Sequence, residues 1–274
     1  MNSERRPSAE EMLEKIQAEE EKAHRKSFGK LKIFLGYAAG TGKTYEMLEA
    51  ARELQRSHID VVAGYVEPHA RPETAALLNG IEQIPFLMVD YKGVKIREFD
   101  LDAALRRRPK VLLVDELAHT NAPGCRHPKR YQDIEELLEH GINVYTTVNI
   151  QHLESLNDNI ASITTIQMKE RIPDSIFDKA EQVKLVDIEP EDLIQRMKEG
   201  KIYQDMQAQR ALQNFFTRDK LVALRELALR RMADRVNHLA EEEKKHLGSR
   251  EFSTGEHVLT CISPAPSNAK VIRS

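Results

Sequence analysis

The apolar run Leu31 to Leu35 breaks directly into GYAAGTGKT, Gly36 to Thr44, and no other stretch limits the fold of this chain so narrowly. A strand that stops at a glycine-rich turn and restarts as a helix carries the phosphate-cradling P-loop signature. Such a turn aims successive backbone N–H groups inward around a phosphate, and Gly40 and Gly42 are residues that tolerate the positive φ this requires. Lys43 is then placed for the β- and γ-phosphates and Thr44 for Mg2+, with Gly36 and Thr41 completing the candidate cofactor-binding set. The strict pattern has its first glycine where Tyr37 stands, so Gly36 comes one residue early. A glycine-rich segment can also be a plain strand-to-helix turn, but the flanks favour the P-loop. Lys32-Ile33-Phe34-Leu35 is β-like, and from Tyr45 to Leu54 the apolar Met47, Leu48, Ala51 and Leu54 share one helical face.

A phosphate turn becomes a nucleotide site when a second strand brings an acidic group to the metal. Lys110-Val111-Leu112-Leu113-Val114 is a continuous apolar strand ending in Asp115-Glu116, the pattern of a buried parallel strand with carboxylates at its C-terminal edge. Asp115 is therefore the Walker B candidate for Mg2+, beside Thr44, and Glu116 the candidate catalytic residue that orients or deprotonates a water. The plainer account is a solvated Asp-Glu pair at a strand end.

Further strands are expected at 61–66, 85–89, 142–148 and 183–188, with a small β excursion near Tyr91 to Ile96. Helices are expected near Glu73 to Leu78, Asp100 to Arg106 and Tyr131 to His140, and one starts at Pro190. Strands alternating with helices predict an α/β fold, P-loop NTPase-like, with a mostly parallel sheet, flanking helices and a following helical extension. The expected organisation is a leader helix within 1–29, a nucleotide-binding domain over 30–204, a helical extension over 205–247, a polar linker at 248–256, and over 257–274 one strand and the start of a helix opening a second, incomplete domain. In the extension, Leu221, Leu224, Leu227 and Leu229 share the apolar positions of the segment Arg218 to Leu247, which either packs on the sheet or extends as a rod.

Other residues allow two readings. Asn149, Gln151 and His152 follow a strand edge and are γ-phosphate sensors or packing residues. Arg71 contacts phosphate or pairs with Glu73, the structural role being slightly favoured. His119, Asn121, His127 and His152 fit no zinc spacing, so a loop shaped by Pro123-Gly124 and Pro128 is preferred to a metal site. Cys125 and Cys261 form no CxxC and read as free thiols. With 41 basic and 44 acidic side chains the net charge is −3, which gives no global attraction to nucleic acid, and Arg106-Arg107-Arg108 reads as a helix cap. No apolar run reaches the roughly 18 residues of a membrane helix, and the N-terminus is too charged for a signal peptide. A cytoplasmic location is expected.

Taken together, GKLKIFLGYAAGTGKTYEML, EFDLDAAL, VDELAHTNAPGCRHPKRYQDIEELLEHGINVYTTVNIQHLESLND and LVALRELALRRMADRV resemble the N-terminal cytoplasmic region of the KdpD family of potassium-responsive sensor histidine kinases. The resemblance covers about residues 7 to 240, and SPAPSNAKVIR resembles the start of the universal-stress-protein-like domain that follows in that family. That family also displaces the first P-loop glycine to the place of Gly36. The resemblance implies binding of ATP by Gly40, Gly42, Lys43 and Thr44, with Asp115 on Mg2+. It further implies regulation of kinase and phosphatase activity toward the response regulator KdpE, and thereby of high-affinity potassium uptake, with a membrane-anchored histidine kinase part as partner. Nothing in the chain matches a phospho-accepting histidine in a dimerising helix pair or an ATP-grasping kinase core, so a regulatory module is expected. The alternative is a free-standing P-loop ATPase or kinase with its own turnover.

Overall fold

The computed structural model describes residues 28–68, 71–199 and 216–247. The expected leader helix, the linker at 248–256, the elements over 257–274 and the extension up to residue 215 lie outside the described residues.

The strands are β1 (Leu31–Gly36), β2 (Val61–Tyr65), β3 (Glu82–Gln83), β4 (Leu87–Tyr91), β5 (Val94–Glu98), β6 (Val111–Val114), β7 (Asn143–Asn149) and β8 (Gln182–Leu185). The helices are α1 (Lys43–Arg56), α2 (Pro72–Leu78), α3 (Leu101–Arg107), α4 (Arg130–Glu139), α5 (Asn157–Thr164), α6 (Asp174–Asp178), α7 (Pro190–Lys198) and α8 (Arg218–Leu247), with 3-10 turns at Ile150–His152 and Glu154–Leu156. Six strands form one sheet in the order β3-β2-β6-β7-β1-β8. The β2–β3, β2–β6 and β6–β7 pairs are parallel. This is an α/β fold with a mostly parallel sheet flanked by helices. Every residue of β2 and β6 is buried, which is why VVAGY and VLLV show no alternation of apolar and polar residues.

Two compact units interleave along the chain. The first holds Lys43–Val148 and Lys179–Lys184 with the β1 residues up to Phe34. In it α1 packs on α2 and β2, burying Met47, Leu48 and Ala51, each large side chain contributing roughly 1.5–3 kcal/mol. The strand expected at 85–89 does not join the sheet. Its edge is β3, while β4 pairs antiparallel with β5 in a separate two-stranded sheet. The reason is local, because Lys92 (φ 52°) and Gly93 (φ 80°) form a two-residue reverse turn that returns the chain on itself.

The second unit holds Leu35–Gly42, Asn149–Asp178 and the described residues from Leu185 on. Here α8 packs on α5, α7 and the 3-10 turn Ile150–His152. Its buried face is Leu221, Leu224, Ala228 and Arg235, and the Arg235 guanidinium donates to the carbonyls of Phe177 and Asp178 at the end of α6. Leu229, expected on this face, is 46 % exposed because it lies about 100° around the helix from Ala228. Leu227 is half-buried for the same reason. Helices α5 and α6 have no counterpart in the sequence-based expectation, being short and lacking a sustained apolar period.

Candidate functional site

The turn after β1 takes the backbone shape its glycines permit: φ is 88° at Gly40 and 103° at Gly42, values at which a Cβ is strained. Thr41 is buried, and its hydroxyl donates to the Ala38 carbonyl at 3.4 Å. Tyr37 is fully buried and its phenol donates to the Ile188 carbonyl at 3.1 Å. Arg196 donates to the Gly40 carbonyl at 3.3 Å. Burial and the nearby Asp187 carboxylate push the Tyr37 phenol up, so it stays a neutral donor.

Helix α1 begins at Lys43, and its second residue reaches the end of β6: the Thr44 hydroxyl donates to Asp115 Oδ2 at 2.9 Å. Asp115 is 1 % exposed. Its other oxygen accepts from the Thr147 hydroxyl and, at 3.1 Å, from the Glu116 amide. Thr44 and Asp115 thus present adjacent hard oxygen donors at the start of a helix, the donor chemistry Mg2+ takes. Desolvation lowers the Lys43 ammonium to about 8; Asp115 and Glu116 act to raise it, and the Arg71 guanidinium opposes its charge. Two cations near enough to disfavour one another suit a polyanion, which relieves that cost. Arg71 itself precedes α2, whose first residue is Pro72. Glu116 sits at φ 61°, uncommon for a residue with a Cβ, and its side chain is 44 % exposed.

A buried polar network lies behind this edge. Arg130 is wholly buried and donates to the Asp115 carbonyl at 3.3 Å and to Glu98 Oε2 at 3.0 Å, with its guanidinium 4.3 Å from the Tyr65 ring centroid. Glu98, the last residue of β5, also accepts from the Ala122 amide at 2.8 Å and pairs with His119 Nε2 at 3.1 Å. Burial disfavours the Glu98 carboxylate, yet these partners together hold it below its ordinary range. Burial pushes Asp133 up to about 6, against the hydrogen bond from Asn121 and the charge of Arg130.

Sequence reasoning missed Thr147 and Arg130. The only signal for Thr147 is its place near the end of the strand next to β6 in the sheet, and Arg130 carries no motif at all. The histidines considered for metal have local partners: His119 with Glu98, His127 with Glu136 at 2.7 Å, and His152 with the Glu170 carbonyl at 2.9 Å. Among the described residues, no group of three or more His, Cys, Asp or Glu is placed to hold a metal. Arg107 pairs with Asp60 at 2.7 Å and Glu82 at 2.8 Å, and Arg108 closes α3 at φ 47°. Asn149 Oδ1 and Gln151 Oε1 are buried without a hydrogen-bond partner, an unusual cost for packing residues. No helix among the described residues is long and apolar enough to cross a membrane.

The mostly parallel sheet flanked by helices defines the chain as an α/β protein, with a glycine turn between β1 and α1. Within that class it belongs to the KdpD family: the family's sequence profile, described as "Osmosensitive K+ channel His kinase sensor domain", matches residues 27–236. The chain is 53% identical over 270 residues to the sensor protein KdpD of Clostridium acetobutylicum, covering 98% of this chain and 30% of that protein. It is 51% identical over 270 residues to the sensor protein KdpD of Escherichia coli K12, covering 98% and 29% respectively. Against the sensor protein KdpD of Mycobacterium tuberculosis the identity is 49% over 249 residues, covering 89% and 29%. The chain therefore spans about a third or less of the length of these relatives.

Proposed function

We propose that the chain is a nucleotide-sensing regulatory module of a KdpD-type two-component system. In this reading Gly36, Gly40, Thr41, Gly42, Lys43 and Thr44 hold the phosphates of ATP, and Thr44 and Asp115 are the protein's oxygen donors toward Mg2+. The metal, when bound, supplies positive charge to the phosphate oxygens. Thr147 holds the Asp115 carboxylate in place, and Lys43 with Arg71 provides the charge that attracts the polyphosphate. Occupancy then tunes the kinase and phosphatase activities of a membrane-anchored histidine kinase toward the response regulator KdpE, and so the supply of a high-affinity potassium uptake system.

The observation that carries the reading is the 2.9 Å contact between the Thr44 hydroxyl and the buried Asp115 carboxylate. Isothermal titration with Mg·ATP tests it. The wild-type chain is expected to bind, and Lys43→Ala or Thr44→Ala to lose about tenfold or more in affinity while the far-UV circular dichroism melt stays in place. No binding by the wild type rejects the reading.

A second reading, a P-loop ATPase or kinase with its own turnover, is favoured by Glu116, whose exposed carboxylate is held beside Asp115 on a left-handed backbone. Residues in such conformations concentrate at functional sites. Steady-state hydrolysis that disappears in Glu116→Gln would establish this reading over a purely regulatory one.

A further inference from the structure

The end of β1 and the turn after it are held at three points by one segment of the same unit. The Leu35 carbonyl accepts from the Val186 amide at 2.7 Å, the Tyr37 phenol donates to the Ile188 carbonyl at 3.1 Å, and the Gly40 carbonyl accepts from Arg196 at 3.3 Å. Tyr37 stands where the strict phosphate-binding pattern has a glycine. Cradling a phosphate requires no phenol there, and its hydrogen bond leaves the turn for residue 188 instead of bracing the turn internally. The side chain is fully buried, so its direction is set by packing.

The same segment is gripped from the other side by α8. Arg225 spreads its guanidinium over two carboxylates, reaching Asp187 at 2.7 and 2.8 Å and Glu189 at 2.5 and 2.8 Å. Arg218, about two turns earlier on the helix, reaches Glu191 at 2.5 Å. Arg225 and Asp187 are about a quarter exposed, at 25% and 28%, which screens them less than an open surface pair. Forked binding also fixes orientation as well as distance. Leu221 and Leu224, fully buried in the turn of α8 that leads to Arg225, seat the helix beside this contact.

We propose that Tyr37 and Arg225 form a relay in which closure of the phosphate turn on Mg·ATP is passed through residues 186–196 to helix α8. The relay rests on the nucleotide reading given above and names how that site is regulated. Tyr37 and Arg225 are positioning residues: Tyr37 carries the turn's movement to Ile188, and Arg225 carries the movement of Asp187 and Glu189 to the helix. Coupling is reciprocal, so whatever holds α8 also sets the affinity of the turn for nucleotide. Arg225 alters that affinity without touching the ligand.

The test combines isothermal titration with amide hydrogen exchange on the full chain, with and without saturating Mg·ATP. In the wild type, nucleotide is expected to change exchange in α8 over 221–235 as well as in 186–196. Arg225→Ala and Tyr37→Phe are expected to bind Mg·ATP about fivefold or more weakly and, once saturated, to show no exchange change in α8. Arg225→Lys keeps the charge but not the fork, and is expected to lose most of the response; it decides the matter should Arg225→Ala fail to fold. Arg230→Ala removes an exposed pair with Glu226 on the same helix and is expected to match the wild type in both measurements. No Mg·ATP binding by the wild type overturns the nucleotide reading itself. Binding with α8 unchanged, or a full response in Arg225→Lys, overturns the relay alone.

Discussion

β6 and the β4–β5 hairpin both place apolar residues on extended backbone, but VLLV carries no polar residue while LMVDY and VKIRE mix theirs with charges, and the two end in opposite situations. All four residues of β6 are buried, with Leu112, Leu113 and Val114 at 0% exposure, whereas Met88 and Val94 of the hairpin are 53% and 64% exposed. Apolar character marks a segment as extended; the connection decides which sheet receives it. β6 pairs in parallel with β2 and β7, which requires long crossovers that carry helices onto the sheet. β4 and β5 are joined by Lys92-Gly93, both with positive φ, and this turn commits them to each other. The buried strand can therefore hold a carboxylate at its end in one geometry, and the hairpin face is free to vary.

Substitutions at matched positions sharpen this contrast. Leu113→Ala, in the middle of β6, is expected to cost about 2–5 kcal/mol in chemical denaturation, and a loss below 1 kcal/mol would mean that β6 is not the core strand described. Next in size is an effect at the edge that β6 serves. Lys43 titrates near 8, below the ordinary lysine range, because it is desolvated. On the proposed nucleotide reading a bound polyphosphate favours the charged ammonium and raises that value, so Mg·ATP affinity is expected to be full below pH 8 and to decline above it. Titrations at rising pH should show a loss of up to about tenfold per pH unit above 8 until the value in the complex is reached; a flat profile would break the link between Lys43 and the ligand. Gly93→Ala places a Cβ at φ 80° and should cost about 1 kcal/mol, with Mg·ATP affinity unchanged. Val94→Ala, on the exposed hairpin strand, should stay within about 0.5 kcal/mol; a larger loss would show that the hairpin packs as a core element after all.

Much of this was legible in the residues themselves. The apolar runs of β1, β2 and β6, the turn over 36–44 and the acidic end at Asp115 announce the sheet and its edge, because each rests on local chemistry. The hairpin's separate sheet was less legible, since Lys92 is not among the residues that usually mark a two-residue reverse turn. Thr147 meets Asp115, and Arg130 meets Glu98, only through tertiary pairing across 32 residues in each case, which no motif signals. The outward position of Leu229 shows a limit of counting leucines: the helix buries an arginine, Arg235, where its aliphatic stem and two carbonyl acceptors serve better than another leucine.

The root of the hairpin is anchored at Glu98 by Arg130, His119 and the Ala122 amide, while a Cβ built at Gly93 in its tip meets nothing within 4 Å. A peptide tag or fluorophore-bearing loop spliced between Lys92 and Gly93 would therefore extend into solvent from a fixed base. The protein carries a natural handle there for immobilisation or distance measurement, one that leaves the interior packing untouched.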